Sequence, residues 1–308
     1  MSGNVIVVGS SNTDMIIQLD RIPRPGETVL GGRFSIAAGG KGANQAVAAA
    51  RSGGNVTFVA RVGDDMFGRQ SVEGFESDGI DVRNVLEDPQ SPSGVALIFV
   101  DKAGENSIAV ASGANANLTP EDVTTAGDAI RAGDVLVTQL ETPVETVRAA
   151  VELAAKNGVQ VILNPAPAQP LGEEILRHVS VLTPNETEAE LLTGVQVKSE
   201  TDAEAAAEKL LAMGVDTVVI TLGARGAFVF DSEHCEMVAG FSVEAVDATA
   251  AGDVFNGTLA VALASGQEML EAVRFANAAA ALSVTKLGAQ PSAPSLAETE
   301  EFLKSSTP

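Results

Sequence analysis

Residues 246–257 combine small side chains with one carboxylate, Asp253, at the start of a predicted helix. Small side chains leave backbone N–H groups accessible, and N–H groups at a helix N-terminus bind anions such as phosphate. Asp253 falls in the first turn, where it could accept the proton of an attacking hydroxyl. The alternative is that Asp253 only complements the helix dipole, a contribution of about 0.3–1 kcal/mol. The residue types alone leave these two interpretations evenly balanced.

A second candidate is the glycine-rich run at residues 38–45, where Lys41 and Asn44 offer hydrogen-bond donors to the hydroxyls of a ligand. The run is not a phosphate-binding Walker A loop, because Ser35 stands at the first glycine position and Gly42 replaces the required Ser or Thr. Taken alone, this run favours a tight turn before the alanine-rich segment that follows.

Polar residues also follow most of the predicted strands. In an open parallel sheet, ligands bind beyond the carboxyl ends of the strands, so these residues are expected to converge on one edge. They are Asn12, Asp14, Asp64, Asp65, Gln139, Glu141, Asn164, Thr183, Asn185, Thr221 and Gly223. Any one of them alone is better explained as an ordinary exposed loop residue.

Composition excludes several other functions. A net charge of −22 would repel a nucleic-acid backbone, so nucleic-acid binding is not expected. The sequence has only two histidines and one cysteine and contains no HExxH, CxxC or GxSxG pattern. It therefore lacks the residues needed for a zinc site or a hydrolytic triad. The apolar run Val5–Val8 is far shorter than a signal sequence or a membrane span, so we expect a soluble, cytoplasmic protein without membrane contact.

The elements that must position these residues alternate between short apolar strands and amphipathic helices. Continuous apolar strands joined by helices predict a doubly wound α/β fold, with a mostly parallel sheet covered by helices on both faces. We predict one α/β domain over residues 1–308. Thr142 to Glu145 has the pattern of a capping box with proline at the first helical position, and it predicts a helix running to Asn157 and Gly158. The predicted strands are 5–8, 56–62, 134–140, 159–163, 179–182 and 215–220.

Two regions lack helical crossovers, at about residues 13–37 and 93–111. Each contains turn signals between strand-like runs, which predicts a hairpin. We expect the two hairpins to form a small antiparallel sheet inserted into the main domain.

Taken together, these segments resemble the ribokinase-like carbohydrate kinase family over essentially the whole length of the chain. Six motifs in the family's order carry the resemblance: residues 9–14, 39–44, 164–168, 183–188, 221–226 and 247–253. The resemblance implies ATP-dependent phosphorylation of a sugar, with D-ribose and its primary 5-hydroxyl expected. Fructose, 2-dehydro-3-deoxygluconate and nucleoside kinases are the alternatives, as is a non-catalytic sugar- or nucleotide-binding regulator.

The resemblance also implies roles for individual residues. Asp253 would be the base, and residues Ala250, Ala251 and Gly252 the anion hole. The implied sugar ligands are Asn12, Asp14, Gly40, Lys41, Gly42, Asn44 and Glu141. The implied nucleotide neighbours are Asn185, Thr221, Gly223, Gly226, Gly252 and Asn277. Glu188 would help to organise Mg²⁺, and a monovalent cation, K⁺, would lie by Asp247, Thr249, Ser283, Lys286, Gly288 and Ser292.

Two departures from the family motif fall in residues 247–253, which read Asp-Ala-Thr-Ala-Ala-Gly-Asp in place of Asp-Thr-Thr-Gly-Ala-Gly-Asp. Alanine at 250 is acceptable if its φ is negative, because the anion hole would use backbone N–H groups. Ala248 removes a hydroxyl near the expected cation. The resemblance further implies that the hairpins form a lid over the sugar and join two subunits as a homodimer.

Overall fold

Parallel strands dominate the main sheet of the computed structural model, which describes residues 3–305. The sheet has nine strands in the order β13-β12-β11-β10-β9-β8-β1-β4-β5, and only β12 and β13 run antiparallel to their neighbours. The strands are β1 Asn4–Val8, β2 Asn12–Gln18, β3 Arg33–Gly39, β4 Asn55–Gly63, β5 Asp81–Asp88, β6 Gly94–Val100, β7 Asn106–Ala111, β8 Val135–Thr138, β9 Gln160–Leu163, β10 Val181–Leu182, β11 Thr217–Thr221, β12 Gly226–Phe230 and β13 Cys235–Ala239. The expected mostly parallel sheet is therefore confirmed.

Helices cover both faces of this sheet. They are α1 Lys41–Arg51, α2 Met66–Ser77, α3 Pro120–Thr125, α4 Gly127–Arg131, α5 Val144–Lys156, α6 Glu173–Leu176, α7 Glu186–Thr193, α8 Glu200–Ala212, α9 Ala251–Ala264, α10 Met269–Ser283 and α11 Leu296–Ser305. Alternate residues of β1 divide between the two cores: Ile6 and Val8 join the core under α5 and α8, whereas Val5 and Val7 join the core under α1, α9 and α10. This alternation is what a strand buried on both faces requires.

Helices α1 and α9 pack unusually close to one another. A Cβ on Gly257 of α9 would collide with the backbone oxygen of Gln45 in α1, so only glycine permits this approach. Gly257 lies one turn after Asp253 on α9. The close approach therefore brings the start of α1 to the carboxylate of Asp253.

The smaller sheet has the order β3-β2-β6-β7 and contains both predicted hairpins. Within each hairpin the strands are antiparallel, but the two hairpins are joined by a parallel pair, β2 with β6. Asp14 pairs with Ala37 and Ala96, and its neighbour Met15 pairs with Ile36 and Leu97. Since successive residues point to opposite faces, Asp14 and Met15 mark the two faces of this sheet.

The predicted capping box before α5 is wrong. Pro143 occupies the N-cap position, no side chain caps the helix, and the buried hydroxyl of Thr142 has no hydrogen-bond partner among residues 3–305. Proline has no N–H, so the reciprocal bonds of a capping box cannot close around it. The predicted end of the helix at Asn157 and Gly158 is correct. Across the described part of the chain, no helix is long and apolar enough to span a membrane.

Candidate active site

Asp253 lies in the first turn of α9 and is almost completely buried. Its two carboxylate oxygens each accept a hydrogen bond from α1: Asn44 Nδ2 donates to Oδ2 over 3.0 Å, and Gln45 Nε2 donates to Oδ1 over 2.9 Å. The structure thus brings together the small-residue segment and the glycine-rich run, the two candidates that the sequence offered separately.

The charges around Asp253 form one coupled group. Burial raises the pKa of Asp253, while Lys41, Asn44 and Gln45 oppose that rise. Burial alone would lower the pKa of Lys41, but the carboxylates of Asp253, Glu141 and Glu188 outweigh it and raise that pKa. A buried base whose pKa is raised toward neutrality is suited to accept a proton from a hydroxyl.

Asp14 completes the acidic side of this group. Burial raises the pKa of Asp14 to about 6, and the charges of Glu141 and Asp253 add to the rise. Polyols are often held by carboxylates that accept hydrogen bonds from hydroxyls, whereas repelling carboxylates disfavour an anionic ligand. The space between Asp14, Glu141 and Asp253 therefore suits a neutral, hydroxyl-rich molecule.

Glu141 is fixed by the elements around it. Its Oε2 accepts hydrogen bonds from Ser10 Oγ over 2.6 Å and from the backbone N–H of Lys41 over 3.0 Å. Gly42 N–H in turn donates to Ser10 Oγ over 3.3 Å. Gly40, at φ 88°, makes the turn that aims these N–H groups back at β1, a conformation that favours glycine.

The side-chain amides of Asn12 and Asn44, in the predicted sugar site, each keep one group free for a ligand. Asn12 Oδ1 accepts from Asn115 Nδ2 over 2.8 Å, which leaves the Asn12 amide NH₂ for another partner. Asn44 Oδ1 is buried with no hydrogen-bond partner among residues 3–305. A buried unpaired acceptor is costly in the free protein, and a ligand hydroxyl would satisfy it.

A cavity of about 700 Å³ opens beside Asp253 and holds the predicted nucleotide residues. Its polar lining includes Lys41, Asn185, Glu188, Thr221, Gly223, Gly226, Gly252 and Asn277. Phe241, Val243, Ala245 and Val284 supply an apolar wall. One amide N–H of Asn277 donates to the backbone oxygen of Val238 over 3.1 Å, so this side chain is held against β13. The cavity is large enough for a nucleotide-sized ligand.

The anion hole differs from the expectation in one respect. Ala250 has φ 60°, and it is the one non-glycine residue in the part of the chain described, residues 3–305, with a positive φ. The condition of a negative φ at this position is therefore not met, because the turn into α9 demands the left-handed conformation whichever residue stands there. The N–H groups of Gly252 and Asp253 find no acceptor within residues 3–305 and remain available to an anion.

Glu188 is tied to the start of α7. Its Oε2 accepts from the Asn185 N–H over 2.8 Å, and Asn185 Oδ1 accepts from the Glu188 N–H over 2.9 Å, a reciprocal capping box. Burial raises the pKa of Glu188. Residues 3–305 contain no group of three or more His, Cys, Asp or Glu side chains arranged to hold a metal. Mg²⁺ would therefore depend on the phosphates and water for most of its ligands.

The predicted monovalent-cation residues lie on two adjoining loops and at the end of α10, where Ser283 is the last residue. Asp247 accepts from Thr249 N–H over 2.9 Å and from Gly288 N–H over 2.9 Å, so its carboxylate ties the loops together. The hydroxyls of Ser283 and Ser292 donate to the backbone oxygens of Ala280 and Ala289, and Lys286 pairs with Glu298. Backbone carbonyls, the Asp247 carboxylate and the lone pairs of the hydroxyls are the groups here that suit a cation, whereas the Lys286 ammonium does not.

Ser10, Gln45 and Asn115 take part in this site but were not among the predicted ligands. Ser10 lies in the first family motif, and Gln45 directly follows Asn44, so their positions offered a signal. Asn115 lies in a 3₁₀ turn after β7 and reaches Asn12 across 103 residues of chain. Nothing in its sequence neighbourhood indicates that contact.

Comparison with known proteins identifies carbohydrate kinases as the relatives of this chain. The model of the pfkB family carbohydrate kinases matches residues 2–296. The chain is 48% identical over 304 residues to a ribokinase of Haemophilus influenzae, with 99% of each chain covered. It is 39% identical over 301 residues to a deoxyribokinase of Salmonella typhi, covering 97% of this chain and 98% of that one. It is also similar to the solved structure of an Arabidopsis thaliana ribokinase complexed with ribose and ATP, at TM-score 0.91, 32% identity and 99% of each chain.

Proposed function

This chain belongs to the pfkB family of carbohydrate kinases, and we propose that it transfers the γ-phosphoryl group of ATP to the primary 5-hydroxyl of D-ribose. The observation that carries this proposal is the buried carboxylate of Asp253, held by Asn44 and Gln45 beside the free N–H groups that begin α9. Gly252 and Asp253 line the nucleotide-sized cavity, and Asp253 is hydrogen-bonded to Asn44 of the implied sugar site.

In the proposed reaction, Asp253 accepts the proton of the sugar hydroxyl as its oxygen attacks the γ-phosphorus. The bond from phosphorus to the bridging oxygen of ADP breaks in line with the new bond, giving ribose 5-phosphate and ADP. The N–H groups of Gly252 and Asp253 stabilise the charge on the phosphoryl oxygens, since they are already oriented before the reaction begins. Lys41 lines the cavity beside Asp253 and donates its backbone N–H to Glu141, so it would add a positive charge between sugar and phosphate.

Two cations enter the proposal through this chain's own residues. Mg²⁺ bound with ATP would neutralise phosphate charge, and Glu188, buried at the edge of the cavity, would be the residue of this chain that helps to hold it. K⁺ would occupy the two loops joined by Asp247, with backbone carbonyls as the remaining ligands. Asp247 lies four residues before the first residue of α9, so a cation held by these loops would steady the N-terminus of α9, which is why we expect K⁺ to raise turnover.

We further propose that the small sheet is a lid over the sugar and the contact surface of a homodimer. The face that bears Asp14 is directed to the sugar site, while the opposite face is apolar and exposed. We define this apolar face by Met15, Ile17, Phe34, Ile36, Leu97 and Phe99, which pair across β3, β2 and β6. Phe34, Ile36 and Leu97 are each about half exposed, at 57%, 52% and 47%. A continuous apolar face of this kind favours a second copy of the chain as its cover.

Ribose is preferred over the alternatives because of the polar groups that converge on the sugar space. If Asn12, Asp14, Asn44 or Glu141 binds the 2-hydroxyl, 2-deoxyribose would leave that polar group unpaired, which disfavours the analogue that lacks the hydroxyl. We propose the cytoplasm, where ATP is abundant, as the compartment of this reaction.

A substrate panel tests the proposal. ADP release is measured with ATP, Mg²⁺ and K⁺ in the presence of ribose, 2-deoxyribose, fructose, 2-dehydro-3-deoxygluconate or a nucleoside. Ribose is expected to give the highest kcat/KM. A higher value with another compound would reassign the substrate within the family, and no turnover with any of them would favour a sugar- or nucleotide-binding regulator.

A further inference from the structure

Gln45 is completely buried and every polar atom of its side chain is engaged. Its Nε2 donates to Asp253 Oδ1 over 2.9 Å and to Asn164 Oδ1 over 3.2 Å. Its Oε1 accepts from Gln139 Nε2 over 2.6 Å. Asn164 is itself fixed, because its Nδ2 donates to the backbone oxygen of Thr183 over 3.2 Å.

These contacts admit one orientation of the Gln45 amide. A flipped amide would place Oε1 against the carboxylate of Asp253 and against Asn164 Oδ1, two acceptors, and would turn Nε2 toward the donor of Gln139. The contacts with Asp253 and Asn164 would then both become repulsive, at a cost that a buried position makes large. Asn164, which is fixed by Thr183, therefore determines how Gln45 meets Asp253.

Gln45 does not line the cavity beside Asp253, whereas Lys41 and Asp253 do. We propose, building on the kinase function above, that Gln45 is a positioning residue: it holds Oδ1 of Asp253 so that the carboxylate presents a fixed lone pair to the sugar hydroxyl, and Asn164 fixes the Gln45 amide in this role. The hydrogen bond from Gln45 also favours the charged form of Asp253, which burial disfavours.

Other charges face Asp253 from each neighbouring element. Lys41 on α1 favours the carboxylate, whereas Glu141 after β8 disfavours it, and Asp14 on β2 and Glu188 on α7 lie within electrostatic range. All four remain in place when Gln45 is changed. A change in the pH dependence of a Gln45 variant therefore reports on the Gln45 contact.

The test replaces Gln45 with Met, which has similar volume and no donor. In the presence of saturating ATP, Mg²⁺ and K⁺, we expect kcat for ribose to fall roughly 10- to 100-fold, the range expected for loss of one hydrogen bond to a charged group. KM for ribose should change less than threefold, because Gln45 is completely buried and is not exposed to a ligand. In a plot of kcat/KM against pH, the acidic limb should move to higher pH. Asp253 loses the hydrogen bond from Gln45 that favours its charged form.

Thr138→Val is the matched control. Thr138 lies beside Gln139, and its hydroxyl is buried with no partner among residues 3–305, so the substitution perturbs packing without touching the Asp253 network. Its acidic limb should coincide with that of the wild type. If Gln45→Met fails to fold, Gln139→Met should displace the acidic limb in the same direction by a smaller amount, because it leaves Gln45 Oε1 without its donor and loosens the Gln45 amide.

Two results would overturn the inference while leaving the kinase function intact. One is an active wild type with a Gln45→Met variant whose kcat and acidic limb match those of Thr138→Val. The other is a Gln45→Met variant that loses only affinity for ribose at unchanged kcat, which would make Gln45 a sugar contact. An inactive wild type would instead contradict the proposed function itself.

Discussion

Asn44 Nδ2 lies 3.0 Å from Oδ2 of Asp253, although 209 residues separate the two in the chain. The contact joins the first turn of α1 to the first turn of α9, and the glycine at 257 allows the two helices to approach. Asn44 thereby holds the carboxylate with its amide nitrogen and keeps its Oδ1 unpaired for a ligand hydroxyl. One side chain can in this way orient both the base and the group that the base deprotonates.

Asp14 should make the stability of the free protein depend on pH. Its pKa is about 6 in the folded protein and 3.8 ordinarily, so the folded state binds more protons between these values. Stability contributed by this group therefore falls as pH rises through that window. Asp14→Asn removes the penalty, and its melting temperature should exceed that of the wild type by more at pH 8 than at pH 4.

The control for this comparison is Glu301→Gln, which changes an exposed carboxylate on α11. The difference in melting temperature between Glu301→Gln and the wild type should be the same at pH 4 and pH 8. An Asp14→Asn variant whose melting temperature follows that of the wild type in parallel would show that Asp14 carries no raised pKa.

Ala250 should store measurable strain. A left-handed conformation costs an L-residue about 1–2 kcal/mol, and the greater freedom of glycine in the unfolded chain offsets part of the gain from Ala250→Gly. We expect a net gain of about 0.5–1 kcal/mol, or roughly 1–3 °C in melting temperature. Ala251→Gly, at the first residue of α9, is the comparison and should lower the melting temperature. Equal effects of the two substitutions would argue against strain at Ala250.

The strand–helix alternation, the two-faced sheet and the second sheet all followed from the sequence, because hydrophobic periodicity and turn residues are local signals. The place of Asn164 at the site edge also followed, since Asn164 comes directly after a parallel strand and the carboxyl ends of parallel strands share an edge. The parallel pairing of β2 with β6 did not, because pairing between distant segments depends on how the whole chain folds.

Other features of the site also escaped prediction, each for a physical reason. The left-handed φ of Ala250 is imposed by the turn into α9 and has no signature in an alanine side chain. The contact of Asn115 with Asn12 depends on a loop that the fold carries across the sheet. The expected capping box did not form because the N-cap is Pro143, one residue after the predicted N-cap at Thr142.

The apolar face of the small sheet should control assembly. Ile36→Lys places a charge on that face, on the side of β3 opposite Ala37, which pairs with Asp14. Light scattering should show the wild type at about twice the chain mass of 31.4 kDa and the variant at that mass. Leu191→Lys, at an exposed leucine on α7, is the control and should remain dimeric. A wild type that is monomeric at all concentrations would refute the proposed dimer.

Potassium should raise turnover through the loops that Asp247 joins. We expect kcat to be severalfold higher in K⁺ than in tetramethylammonium. Asp247→Asn should lose that difference, because the amide has no negative charge and only one oxygen for the N–H groups of Thr249 and Gly288. Glu298→Gln breaks the ion pair with Lys286 in the same region and should keep the response. A wild type indifferent to K⁺ would remove the cation from the proposal.

The most direct test of the account is turnover by Asp253→Asn with ribose, ATP, Mg²⁺ and K⁺, measured as ADP release alongside ATP affinity by calorimetry. General-base catalysis contributes about 10²–10⁴-fold, so we predict a loss of kcat in that range with ATP affinity within a few-fold of the wild type. Near-native turnover by a folded, ATP-binding Asp253→Asn variant would contradict the role of Asp253 as the base.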